Sequence, residues 1–122
     1  MNTILWIAQA ILAAAFFYSG VNKTILSEQQ LIAKGQTGVV GKATGTIRLI
    51  GISEILGAIG IILPWWINVL PALTPVSAAC FAIIMLLAAP IHYRLKEFKN
   101  VLVNLTLLCL AILVAWGRGR QL

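Results

Sequence analysis

Only three of the 122 residues are acidic, and one of them, Glu54, stands inside an apolar run from Leu49 to Leu63 that holds no other charge. A carboxyl group at the centre of a bilayer helix costs roughly 2.5–3.5 kcal/mol on insertion scales, so such residues are kept for a partner or a task. The chain's single histidine, His92, can exchange a proton near neutral pH. A carboxyl and an imidazole together suit proton transfer, which makes Glu54 and His92 the candidate catalytic residues. Tyr18, Asn22, Lys23, Arg48 and Asn104 supply hydroxyl, amide and cationic donors able to orient a ligand oxygen, and are the candidate binding residues. One histidine, two cysteines and three acids are too few for a protein metal site, so none is expected. Cys80 and Cys109 form no Cys-x-x-Cys motif and read as small apolar residues on neighbouring spans.

The elements that position these groups follow from composition. The chain is 61% hydrophobic and 10% charged, with a mean hydropathy of +0.99. A soluble domain is nearer one quarter charged, so the surrounding medium is lipid. Four segments are long enough to span, at about 3–21, 46–63, 75–91 and 98–116, each close to the ~20 residues that a ~30 Å core requires. Pro64, Pro71 and Pro75 break the long uncharged stretch between the second and third. The expected fold class is therefore all-α: one integral membrane four-helix bundle of up-down topology over 1–122, with both termini on the same, external side.

Two signals set that orientation. Lys23, Lys34, Lys42, Arg48, Arg94, Lys96 and Lys99 fall on or beside one face, and only Arg118 and Arg120 on the other. The positive-inside rule puts the first face in the cytoplasm. Trp6, Trp65, Trp66 and Trp116 all fall at the opposite interface, where indoles favour the headgroup layer. The net charge of +6 thus reads as membrane topology, with lipid and not nucleic acid as the partner. Within the first basic loop, Ser27 and Gln30 form a capping-box pattern for a short helix at about 28–34, ended by Gly35. Leu31 and Ile32 give this helix an apolar side for the membrane surface. The glycine-rich stretch that follows reads as a mobile loop or gate.

Depth along the helices gathers the polar residues. Glu54 is roughly 12 Å and Asn104 roughly 9 Å from the basic face. Tyr18, Asn22 and Lys23 close the first span and His92 closes the third at that level. The other half of the bundle is almost entirely aliphatic, Gln9 being the main exception. Gly51, Gly57 and Ala58 share the face of Glu54, and small residues mark an interior seam in membrane bundles, so Glu54 is expected to point inward. Arg48 lies off that face and is expected to snorkel to the headgroups.

Gly20-Val-Asn-Lys23, Arg48-x-x-Gly51-x-x-Glu54-x-x-Gly57 and Ala88-x-x-x-His92 together resemble the DoxX-like membrane family over nearly the whole chain. The resemblance implies a compact four-helix bundle with Lys23, Glu54 and His92 at a shared site. It also links the chain to a thiosulfate:quinone oxidoreductase subunit and to membrane isomerases and cyclases of sterols and terpenoids, which makes quinone a candidate cofactor. The functional expectation is a membrane-embedded site in the cell (inner) membrane that binds a lipophilic small molecule for acid–base or quinone-linked chemistry. The alternatives are a proton-coupled small transporter and a non-catalytic subunit of a larger complex. A homo-oligomer or a partner subunit is compatible with each.

Overall fold

The computed structural model describes all residues from Met1 to Leu122, and every regular element is helical. The helices are α1 (Asn2–Ile25), α2 (Glu28–Ala33), α3 (Thr44–Ile67), α4 (Leu73–Arg94) and α5 (Phe98–Gly119), with a 3-10 turn at Thr37–Val39. Four of them, α1, α3, α4 and α5, are long and apolar enough to cross a membrane. They run alternately up and down. The most extensive contacts join α1 to α3 and α4 to α5, and contacts of α3 with α4 and of α1 with α5 close the ring. Both termini therefore lie at one end of the bundle, and α2 with the α4–α5 turn at the other. Isoleucines and leucines such as Ile4, Ile11, Leu56 and Leu102 are exposed around the circumference, as expected of helices that meet lipid on the outside.

Helical spacing selects what faces inward. On α3 the buried stripe reads Ile47, Gly51, Glu54, Ala58, Ile61 and Pro64, three or four residues apart. On α1, Leu5, Ala8, Leu12 and Phe16 line up in the same way. In the half nearer the termini, Ala8, Leu12, Phe16, Ile61, Ala78, Phe81, Ala111 and Val114 form one continuous core. Phe16 and Phe81 stack with their ring centroids 3.8 Å apart. Phe81 lies so close to α3 that a Cβ on Gly57 would overlap its ring. Without a hydrophobic driving force between helices in lipid, such close packing at small residues is what holds the bundle together.

The spans extend a few residues beyond the sequence-based boundaries, and Pro64 corrects the expected break. It lies within α3, which continues to Ile67 and ends at Asn68 in the left-handed conformation. A helical proline removes the hydrogen bond to the carbonyl four residues earlier, here Gly60. Thr74 of α4 donates its hydroxyl to that carbonyl at 3.1 Å, so α3 passes through the proline without an orphaned acceptor. The capping box of α2 forms as expected, with Ser27 and Gln30 exchanging hydrogen bonds. Leu31 is buried with Val39 and Ile47 of α3 in a small core that ties α2 and the loop to the bundle, while Ile32 on the same helix is exposed. Cys80 and Cys109 are both free thiols exposed on the surfaces of α4 and α5.

Candidate functional site

The close approach of α1 and α3 creates the central feature of the loop end. A Cβ on Gly20 would fall 2.7 Å from the Gly51 carbonyl oxygen, and one on Gly51 would fall 2.8 Å from that of Gly20. Only glycine at both positions lets the two backbones meet so closely. One turn further along, Lys23 Nζ donates to Glu54 Oε1 at 2.6 Å. The Glu54 side chain is 1% exposed. A carboxylate taken out of water needs a compensating charge of this kind, and Lys23 supplies it from the last turn of α1. Arg48 does not snorkel outward. Its guanidinium donates to the carbonyl oxygens of Lys23, at 2.8 Å, and of Leu26, satisfying carbonyls at the C-terminal end of α1 where a cation also favours the helix dipole. Arg48 therefore holds the backbone that presents Lys23.

The ion pair forms part of the wall of a cavity of about 540 Å³, within the size range of small-molecule sites. Tyr18, His92 and Asn104 also line it, among mainly aliphatic neighbours from all four long helices. Tyr18 is 58% exposed on the outer face of α1. Asn104 is buried and donates Nδ2 to the Met85 carbonyl oxygen at 2.9 Å, tying α5 to α4. Asn22 is buried as well, but it lies away from the cavity wall and its Nδ2 has no partner. Of the seven sequence-based candidates, the structure thus brings Glu54, His92, Tyr18, Lys23 and Asn104 to one cavity, and places Asn22 and Arg48 behind it.

At the mouth, three residues from distant parts of the chain converge. Thr37, in the 3-10 turn, donates to Glu97 Oε1 at 2.5 Å. His92 Nδ1 lies 3.2 Å from the same carboxylate oxygen and 3.3 Å from the Thr37 hydroxyl. The Thr37 hydrogen bond, with help from His92, holds the Glu97 carboxyl below the ordinary carboxylate range. This cluster latches the glycine-rich loop to the α4–α5 turn. Neither Thr37 nor Glu97 was a sequence candidate. The available signal was that Glu97, one of three acids, follows the only histidine by five residues.

The opposite end holds a second buried charge that corrects the almost entirely aliphatic picture of that half. Arg118 is fully buried. Its Nε donates to the Gln9 amide oxygen Oε1 at 2.8 Å, and Nη1 donates to Asn2 Oδ1 at 2.7 Å and Gln121 Oε1 at 2.8 Å. Its guanidinium carbon lies 5.2 Å from the centre of the Trp6 ring and 4.7 Å from that of Trp65, close enough for cation–π attraction on both sides. Gln9 in turn donates to the Ile61 carbonyl oxygen at 2.7 Å.

No curated protein and no solved structure matches the chain. The DoxX-like family model, by contrast, matches residues 7–114, which takes in most of all four long helices, the Lys23–Glu54 pair and the cavity, and the chain therefore belongs to the DoxX-like family.

Proposed function

We propose that the cavity at the loop end binds a lipophilic small molecule bearing a carbonyl group, and that the Lys23–Glu54 pair moves a proton on it. The observation that carries this reading is an ion pair of 2.6 Å on the wall of an otherwise mainly apolar cavity of about 540 Å³. A carboxylate beside an ammonium group suits one reaction in particular. Glu54 removes a proton from the carbon next to the carbonyl, the electrons move onto the oxygen, and Lys23 stabilises the resulting enolate by hydrogen bonding. Glu54 then returns the proton to the same carbon or, in an unsaturated ketone, to the far end of the conjugated system. The net change is an isomerisation that needs no other reactant. His92, on the same wall, serves as the exchange point between the cavity and water, while Asn104 and Tyr18 orient the bound molecule.

The basic end of the bundle faces the cytoplasm in this reading. Burial of Arg118 supports it, because Arg120 is then the only exposed cationic side chain at the end that carries the termini, which widens the charge asymmetry that sets topology.

The test is deuterium incorporation from D2O into lipophilic β,γ-unsaturated ketones by protein reconstituted in liposomes, read by mass spectrometry. Glu54→Gln keeps the shape of the side chain and removes the base, so incorporation is expected to fall about 100-fold or more. Undiminished exchange in a folded Glu54→Gln protein would rule out the acid–base role.

A further inference from the structure

The charges that line the cavity do not cancel. Lys23, Lys42, Glu54 and His92 all contribute to its wall. Lys23 is matched by Glu54, and His92 leans on Thr37 and Glu97. Lys42 has no acidic partner. Its ammonium donates to the Gly38 carbonyl oxygen at 2.7 Å, inside the loop that the Thr37 latch holds over the mouth. The loop end as a whole carries four more exposed cations, Lys34, Arg94, Lys96 and Lys99, against one further acid, Glu28 of α2, so its potential is positive.

The remainder of the wall is chiefly aliphatic, with Ile84, Leu87, Val103 and Leu107 among its residues. Leu49 and Leu87 line the cavity and are also 66% and 69% exposed on the outer faces of α3 and α4. The cavity is thus continuous with the surface that meets lipid, and its uncompensated ammonium lies at the water end.

From this polarity we infer that the site selects amphiphiles with a compact anionic head, a carboxylate or a phosphate monoester, on a single alkyl chain. Lys42 receives the head at the mouth. The chain lies past Ile84 and Leu107, with access to the bilayer beside Leu49 and Leu87. The inference rests on the cavity being a ligand site and adds a second group to its ligand, an anionic head distinct from the carbonyl group at the Lys23–Glu54 pair. A carboxylate gains a charge-assisted hydrogen bond at Lys42 that an alcohol of the same length lacks. An amphiphile with a cationic head meets repulsion instead.

The experiment compares binding of radiolabelled dodecanoate, dodecanol and dodecyltrimethylammonium to the protein in nanodiscs of zwitterionic lipid, with empty discs as the blank. Dodecanoate is expected to bind on the order of tenfold more tightly than dodecanol, and the cation most weakly. Lys42→Gln should erase the difference between dodecanoate and dodecanol, and Lys42→Arg should keep it. Equal binding of the acid and the alcohol to the native protein, or a preference that survives Lys42→Gln, overturns the inference while leaving the cavity as a ligand site. If none of the three binds above the blank, the ligand-site reading itself falls. Discs containing lysophosphatidic acid, a phosphate monoester on a single acyl chain, separate two sources of the same chemistry. Displacement of dodecanoate by this lipid assigns the anionic head to the membrane, and undiminished dodecanoate binding assigns it to a free amphiphile.

Discussion

The two ends of the bundle each bury a charge, and they do so in opposite ways. At the end that carries the termini, Arg118 is enclosed by amide oxygens from Gln9, Asn2 and Gln121 and by the faces of Trp6 and Trp65. No carboxylate is involved, and the neighbouring core is closed by the Phe16–Phe81 stack. At the loop end, Glu54 is just as buried, but its partner is a lysine and the pair borders open space. A guanidinium keeps its proton in a protein, whereas a carboxylate can take one up and release it again. The comparison teaches that burial alone does not mark a site in a chain this apolar. In the function proposed above, the titratable group beside a void is the site, and the permanent charge packed against neutral acceptors is a fastener.

The largest effect expected from that distinction is on stability at the closed end. Arg118→Ala removes the group that joins α1 and α5 to both indoles and leaves the buried Gln9 amide oxygen without its donor. It is expected to cost about 3 kcal/mol or more, read as a lowered unfolding midpoint in detergent. Arg118→Lys keeps the charge without the planar fork and should fall between the two. If Arg118→Ala unfolds like the native protein, the fastener half of the comparison is wrong.

A smaller effect belongs to the latch at the open end. The folded protein holds the Glu97 carboxyl below the ordinary carboxylate range, first through Thr37 and then through His92. A carboxylate depressed in the folded state stabilises it above its unfolded value, and that contribution is lost as pH falls through the folded value. The latch is therefore intact at neutral pH and weakens under acid conditions, below the usual glutamate pKa of about 4.3. Hydrogen exchange at residues 35–42, corrected for the intrinsic effect of pH, should become a few-fold faster there, because a partly exposed pair contributes little. Glu97→Gln should remove this dependence on pH. Exchange that is insensitive to both changes would mean that the loop is held by its Leu31–Val39–Ile47 core alone.

Much of the bundle was legible in the sequence because it rests on local patterns. Span length, the spacing of Gly51, Glu54 and Ala58, and the Ser27–Gln30 capping box are all read within one or two turns. The Lys23–Glu54 pair was harder to see, since it depends on Gly20 and Gly51 meeting across 31 positions of chain. The Thr37–Glu97 contact spans 60 positions and joins two loops, where no periodicity operates. The burial of Arg118 was missed although its signal was present. Ala111, Val114 and Arg118 share one buried stripe of α5, but a basic residue near a helix end is ordinarily assigned to the headgroups. Pro64 was misread for a related reason. Its broken hydrogen bond is repaired by Thr74 of the neighbouring helix, which no reading of α3 by itself could supply.

Photo-crosslinking with a diazirine-bearing dodecanol in nanodiscs tests most directly whether the open end is the site and the closed end is not. This probe is neutral, so its placement does not depend on the charge at Lys42. The predicted result is a concentration of saturable adducts, mapped by mass spectrometry, on cavity residues such as Leu49, Ser53, Leu87 and Val103, competed away by excess unlabelled dodecanol. Adducts spread evenly over the lipid-facing surface, or concentrated around Trp6 and Trp65, would contradict the account.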